Sequence, residues 1–318
     1  MIRVLACIAL LLPVAAMAQS VPDRLETAFR VWINEAGATS GAIAIWRAGQ
    51  PQREVGIGIE SGAPMELASL GKVVTALCAA HLIETGVWTK QTSARAVLRQ
   101  GPDGITVEAL ITHTTGLAPD QTQAMMGIWL DTEDDRAGEA TKTALSRVTQ
   151  NGTPGQYAYN NENYAILGAM IAAETGRPYA DFCAGAVLTP AGLTTASPSP
   201  RTGAMAAWGG WQMSVGDYAR LMHWAFGPGG KIGRAPGRWP SADMGGGAFY
   251  GMGMTQREFR GAMNYWHFGA LCLPGRLEAG SYAVSWMGDW SVVVAYDACV
   301  DWDAMVRLDG ALAGAVFQ

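Results

Sequence analysis

Ser69-Leu70-Gly71-Lys72 places a hydroxyl and an amine three residues apart. At the start of a helix this spacing sets both side chains on one face, one above the other. An amine beside a hydroxyl can take its proton, so a serine without a histidine partner becomes a nucleophile. Residues 73–84 carry apolar side chains at Val73, Leu77, Ala80 and Leu82, and Gly86 supplies a stop. The pattern predicts an amphipathic helix with the pair at its N-terminus, where the peptide dipole favours developing negative charge. Lysine is scarce, at Lys72, Lys90, Lys142 and Lys231 only, and arginine supplies most of the positive charge. Arginine stays protonated in proteins, whereas a buried lysine can lose its proton and serve as a base.

Two further segments carry groups that could complete such a site. Tyr159 and Asn161 flank Asn160 in a loop that begins at Pro154-Gly155 and leads into a helix near Asn163. A phenol relays protons to a nucleophile or leaving group, and an amide orients a substrate carbonyl. On the residues alone, the same segment also reads as a turn with a helix cap. His267-Phe268-Gly269 ends an expected strand, and Gly269 lets another backbone or a ligand approach closely. A lone strand histidine is otherwise a structural residue.

The elements that must position these groups are legible at both ends of the chain. Residues 41–47 and 53–59 read as a strand pair around Ala48-Gly49-Gln50-Pro51. Residues 263–268, 281–287 and 290–296 are rich in β-branched and aromatic side chains, with Gly288-Asp289 as a two-residue hairpin between the last two. Residues 301–317 read as a C-terminal helix. From about 92 to 254 the pattern is helical segments and long loops, punctuated by glycine and proline. The expected fold is α/β of the α+β type. An antiparallel sheet from both termini (19–91 plus 262–318) is flanked by helices, with a mainly helical insertion at 92–261. A cleft between the two is the natural small-molecule site.

Composition bounds the function. The chain has 318 residues and a net charge of −5, with no basic cluster, which argues against nucleic acid as a partner. Residues 1–18 read as a secretory signal peptide: Arg3, a short apolar core at 8–16, and a small-x-small site at Ala16-Met17-Ala18. That core is too short to span a bilayer, and no later stretch is long and apolar enough for a membrane helix. The expectation is a periplasmic or secreted protein. Cys78, Cys183, Cys272 and Cys299 lack zinc-site spacing. Export permits disulfides; Cys272 and Cys299 pair if their elements adjoin, and free buried thiols are the alternative. Trp208, Trp211, Trp239 and Trp266 form either a hydrophobic acyl pocket or core. The acidic run Asp131, Glu133, Asp134, Asp135 has Arg136 where a calcium loop needs glycine, so it reads as a solvated face.

Taken in order, Ser69/Lys72, Tyr159/Asn161 and His267/Gly269 resemble the three motifs of the penicillin-recognising serine hydrolases: class C β-lactamases, DD-peptidases and the related esterases and D-aminopeptidases. Residues 110–117, 154–168 and 211–221 resemble further segments of that family, and the likeness covers roughly residues 25–297. The resemblance implies a β-lactamase/transpeptidase-like fold and an acyl-enzyme on Ser69. Lys72 would accept or relay the serine proton. Tyr159 would be general base in acylation and acid toward the leaving group. Asn161 would bind the substrate amide, His267 would hydrogen-bond toward Tyr159, and the N–H groups of Ser69 and Ala270 would form the oxyanion hole. It implies no metal or organic cofactor, and a small-molecule or peptide substrate. Thr112–Gly116, with His113, would be structural support. Many relatives that bind a substrate carboxylate carry a hydroxyl where this chain has Phe268, and a neutral histidine is a weak anion partner. Arg276 is near enough in sequence to replace that charge. The balance therefore favours an ester or amide/peptide substrate, with a β-lactamase or D-Ala-D-Ala carboxypeptidase as the alternative. A non-catalytic binding or sensor domain of the same fold is the competing class.

Overall fold

The chain is described from a computed structural model covering residues 19–132, 134–147 and 151–317. The expected signal peptide and Glu133 of the acidic run lie outside these residues. In chain order the strands are β1 (Gly41–Arg47), β2 (Gln50–Ile57), β3 (Met65–Glu66), β4 (Ser197–Pro198), β5 (Trp211–Met213), β6 (Ala242–Gly245), β7 (Ala248–Gly251), β8 (Met254–Phe259), β9 (Ala262–Leu273), β10 (Leu277–Trp286) and β11 (Trp290–Tyr296). The helices are α1 (Val21–Glu35), α2 (Lys72–Glu84), α3 (Ala94–Leu98), α4 (Val107–Ile111), α5 (Thr122–Trp129), α6 (Ala137–Leu145), α7 (Asn161–Thr175), α8 (Tyr179–Cys183), α9 (Val215–Phe226) and α10 (Trp302–Phe317).

The main sheet has eight antiparallel strands in the order β2-β1-β11-β10-β9-β8-β7-β6. It joins the two ends of the chain, as the sequence led us to expect, with Ala44 opposite Val293 and Val293 opposite Ala283. It extends further than expected, because 242–259 supplies three of its strands. These strands were hidden in the glycine-rich stretch read as part of the helical insertion. The β10–β11 turn also differs: Trp286 pairs with Trp290, so the loop has three residues, with Met287 at φ +52°.

Strand β1 is buried on both faces, which explains its continuous apolar run. Ile43 and Ile45 meet Phe29 and Trp32 of α1 and Leu308 and Leu312 of α10 on the outer face; Ala42 and Ala44 meet the helical layer. A Ser20–Asp23 capping box starts α1, and the Trp32 indole donates to the Ala304 carbonyl at 2.8 Å, tying α1 to α10.

The inner layer is centred on α2. Its residues from Lys72 to Ala80 are all buried, so it is a helix enclosed on every side rather than an amphipathic one. The apolar periodicity was real, but the small residues between the large ones are covered too. Disulfides join Cys78 of α2 to Cys183 of α8 and Cys272 of β9 to Cys299, with Cα–Cα distances of 5.6 and 5.3 Å. Among the described residues no helix is long and apolar enough to cross a membrane.

Candidate active site

Ser69 sits in a 3-10 turn, Ala68–Gly71, that leads directly into α2. Ala68, just before it, has φ +47°, a left-handed conformation that a non-glycine residue adopts only under tertiary constraint. The constraint is visible: Tyr218 donates to the Leu70 carbonyl at 3.0 Å, and Ser281 of β10 to the Leu67 carbonyl at 2.6 Å. Strand β9 crosses this turn at Gly269. A Cβ there would lie 2.3 Å from Ser281 Oγ, 2.6 Å from Leu67 O and 3.0 Å from Ser69 N, so only glycine fits. The crossing puts Ser69, Gly269 and Ala270 on one cleft wall.

Lys72 Nζ has three partners: Asn161 Oδ1 at 2.7 Å, the Trp208 carbonyl at 2.6 Å and Ser69 Oγ at 3.2 Å. Two of these are obligate acceptors. A neutral amine has two N–H groups and one lone pair, so once both carbonyl oxygens are satisfied the lone pair is left for Ser69. Burial favours that neutral form. It pulls the Lys72 pKa from 10.5 down to about 7, against the opposing field of the Asp120 carboxylate. The Trp208 carbonyl is placed from the same helix, since Thr75 donates to the neighbouring Ala207 carbonyl at 2.6 Å.

The Tyr159 hydroxyl donates to Ser69 Oγ at 2.9 Å. One edge of the ring faces solvent, but the hydroxyl is desolvated, which pushes its pKa above the usual 10 and keeps it a phenol. The segment behind it is held by the 112–116 loop. Asn160 caps α7 by accepting from Glu162 N at 2.8 Å, and its amide donates to the Leu117 carbonyl at 2.9 Å. His113 accepts from Asn160 N at 3.3 Å, and its ring lies 4.4 Å from that of Tyr159. Buried Glu162 pairs with Arg147, which also donates to the Pro119 carbonyl at 2.7 Å. The Asn161 amide therefore reaches Lys72 on one side and Thr122 Oγ1, at 3.2 Å, on the other. The loop is both a helix cap and a carrier of site residues.

His267 lies beside these groups, but the expected hydrogen bond to Tyr159 is not formed. The rings are 5.9 Å apart between centroids, and the Nε2 atom is buried without a partner. The residue as a whole keeps partial solvent contact. Because the ring nitrogen is covered, desolvation and nearby Lys72 still pull its pKa down, to about 3. It is a neutral imidazole at pH 7. Phe268 stacks on Tyr282 at 4.4 Å and offers no hydroxyl. Arg276 does not replace the missing charge: it donates to the Gly127 carbonyl at 2.6 Å and lines a different cavity.

Ser69, Tyr159, Asn161, His267, Gly269 and Ala270 border a cleft of 240 Å³, with Gln123 and Met126 of α5 and Trp302 and Met305 of α10 completing its rim. No aspartate, glutamate, lysine or arginine is among its lining residues. Of the four tryptophans singled out, Trp208 lines this cleft and Trp266 the adjoining cavity. Trp211 is core, donating to Tyr179 OH at 3.1 Å, and Trp239 is buried outside both cavities. Sequence reasoning missed Asp120, Trp302 and the Trp208 carbonyl. Asp120-x-Thr122 has the spacing of an Asx turn, a signal that could have marked Asp120. A backbone carbonyl leaves no trace in residue type.

The fold, with a serine and a buried lysine at its cleft, is that of a penicillin-recognising serine hydrolase family. A beta-lactamase family model matches residues 22–298, and the chain belongs to the beta-lactamase family. It is 29% identical over 142 residues to "Penicillin-binding protein 4*" of Bacillus subtilis, a segment covering 42% of this chain and 30% of that protein. Among solved structures it resembles a beta-lactamase/D-alanine carboxypeptidase from Pseudomonas syringae, with TM-score 0.74 and 17% identity over 93% of this chain and 99% of that one. It also resembles a D-stereospecific amidohydrolase from Streptomyces, with TM-score 0.72 and 18% identity over 92% and 98% of the two chains. At such identities the structural likeness concerns the fold.

Proposed function

We propose that this protein is an exported serine hydrolase that cleaves an uncharged ester or amide through an acyl-enzyme on Ser69. The observation that carries the reading is the placement of Ser69 Oγ, 3.2 Å from Lys72 Nζ and 2.9 Å from Tyr159 OH, with Lys72 titrating near 7. Neutral Lys72 takes the Ser69 proton as Oγ attacks the substrate carbonyl. The N–H groups of Ser69 and Ala270 receive the oxyanion. Asn161 binds the substrate amide or carbonyl beside Lys72. As the tetrahedral intermediate collapses, Tyr159 protonates the leaving group and is reprotonated from Lys72; water then hydrolyses the acyl ester by the reverse proton route. The raised Tyr159 pKa supports a role as acid and relay, and Lys72 is the better acylation base. Gly269 holds β9 against the nucleophile, and neutral His267 keeps the wall uncharged.

The lack of a cationic side chain along the cleft favours substrates without a carboxylate at this point. The likeness to a penicillin-binding protein favours the alternative, a β-lactam or D-Ala-D-Ala substrate. Two disulfides fit an oxidising compartment and support export. Intact mass of wild type and Ser69→Ala, after brief exposure to a penicillin or to p-nitrophenyl acetate, decides between these. Ester turnover or an acetyl adduct that needs Ser69, without a penicillin adduct, supports the ester/amide reading. A Ser69-dependent penicillin adduct supports the alternative, and absence of any Ser69-dependent adduct or turnover counts against both.

A further inference from the structure

The cleft at Ser69 does not end at Tyr159. A second cavity of 410 Å³ adjoins it, and the two share Tyr159, His267, Phe268 and Trp302. Its size is within the range of small-molecule sites, about 300–1,000 Å³. Position along β9 distinguishes the two spaces. The first reaches from His267 past Gly269 to Ala270 and Leu271; the second lies toward Trp266. A substrate carbonyl held at the Ser69 and Ala270 N–H groups sits in the first. Tyr159, the group that protonates the departing atom, stands at the junction. The second cavity is therefore on the leaving-group side.

Its lining is mainly aromatic and apolar, with Thr255 and neutral His267 as further polar groups beside the tyrosines. Tyr157, Trp266, Phe268 and Trp302 line it with Met244 and Ala248, and no charged side chain is among the lining residues. Trp302 is the unusual member. It is 64% exposed, yet it packs edge-to-face on Phe268 at 5.5 Å between centroids. Its place is set by the fold: Cys299, three residues earlier, is bonded to Cys272 of β9, and Ala304, two residues later, accepts from Trp32. A large indole fixed over a cleft with its outer face bare offers an aromatic platform.

We propose that this cavity is a subsite for an uncharged aromatic leaving group and that Trp302 determines its specificity. The inference rests on the Ser69 acyl-enzyme reading, so the test separates the two. Calorimetric titration of 2-naphthol into the Ser69→Ala protein reads the subsite without turnover. Adding Trp302→Ala is expected to weaken binding about tenfold, and Trp302→Phe to restore most of it. Absence of binding, or equal affinity with and without Trp302, overturns the subsite. In the active protein, 2-naphthyl acetate and ethyl acetate give the same acetyl-enzyme. Trp302→Ala should lower kcat/KM about tenfold for the naphthyl ester and within about twofold for the ethyl ester, with a common deacylation rate. An equal loss for both esters marks Trp302 as merely structural and also overturns the proposal. Ester turnover that survives Ser69→Ala overturns the acyl-enzyme reading instead, and the subsite then stands or falls on the titration.

Discussion

The two ends of α2 hold lysine in opposite circumstances. At the N-terminal end Lys72 is wholly buried, and its partners are two carbonyl oxygens and a hydroxyl. At the C-terminal end Glu84 pairs with Lys231 at 2.6 Å, both side chains being about one-fifth exposed. Asp120 is near Lys72, but its oxygens are taken by Asn161 N at 3.0 Å and by Thr122 at 2.9 and 2.7 Å. Burial without a direct counter-ion favours the neutral form of lysine. Where a carboxylate meets it, it remains an ordinary ion pair.

The cavities repeat the contrast. A 530 Å³ cavity beside β3, larger than the Ser69 cleft, is lined by Glu66, Arg201 and Arg276 among others. Glu66 accepts from Ser199 and Thr202, Arg201 pairs with Asp131 at 3.0 Å, and Arg276 is held by Gly127 O. These three charged groups already have partners, so size alone is a poor guide to chemistry.

The sharpest way to break the comparison is at Lys72. Both Lys72→Ala and Lys72→Arg should lower kcat/KM for p-nitrophenyl acetate by about 10²–10⁴, because arginine keeps the charge but cannot accept the proton. Near-normal activity in Lys72→Arg would remove lysine from the base role. Next in size is the disulfide in the middle of α2. Cys78→Ala with Cys183→Ala opens a link across 105 residues and should reduce urea unfolding stability by about 4 kcal/mol.

Titration sharpens the contrast further. The acid limb of kcat/KM should rise through about pH 7 as Lys72 becomes neutral. In the unfolded chain Lys72 keeps its proton to about 10.5, while the native protein releases it near 7. Between those values the unfolded state binds more protons, so this group makes stability increase with pH, by up to about 1.4 kcal/mol per unit. Urea titrations at pH 7 and 9 on wild type and Lys72→Met isolate that slope; equal slopes would refute it. Asp120→Asn removes the charge that raises the Lys72 pKa, so the acid limb should move to lower pH. A shift upward would show that Asp120 does not act by its field. The smallest effect belongs to the far end of α2. Glu84→Gln should cost under about 1 kcal/mol in a melt and leave the pH profile where it was.

Much of the architecture was legible in local patterns. Strand β1, strand β11 and helix α10 are nearly where the apolar patterns placed them, because the two strands carry continuous apolar runs and the helix buries Ala304, Met305, Leu308 and Leu312 at helical spacing. Strands β6–β8 were not, since glycines interrupt them and their pairing comes only from neighbours in space. Ser69, Lys72, Tyr159, Asn161, His267 and Gly269 were all visible as residue types in order, and the fold brings them to one cleft. The His267–Tyr159 hydrogen bond expected from the family resemblance was not realised, because rotamer and distance are decided by packing.

By itself, then, the sequence determined the covalent inventory: a hydroxyl and an amine one helical turn apart, a phenol and an amide flanking a cap, and a glycine at a strand position beside a histidine. These are properties of local spacing, which the chain encodes directly. Tertiary structure alone decided what those groups are. It buried Lys72 and gave both of its N–H groups to carbonyls 89 and 136 residues away in sequence. It also brought the helix that starts at Trp302 to the rim of the cleft that holds Ser69. Proton affinity and pocket shape arise from desolvation and from contacts between distant segments, and neither exists until the chain has closed around them.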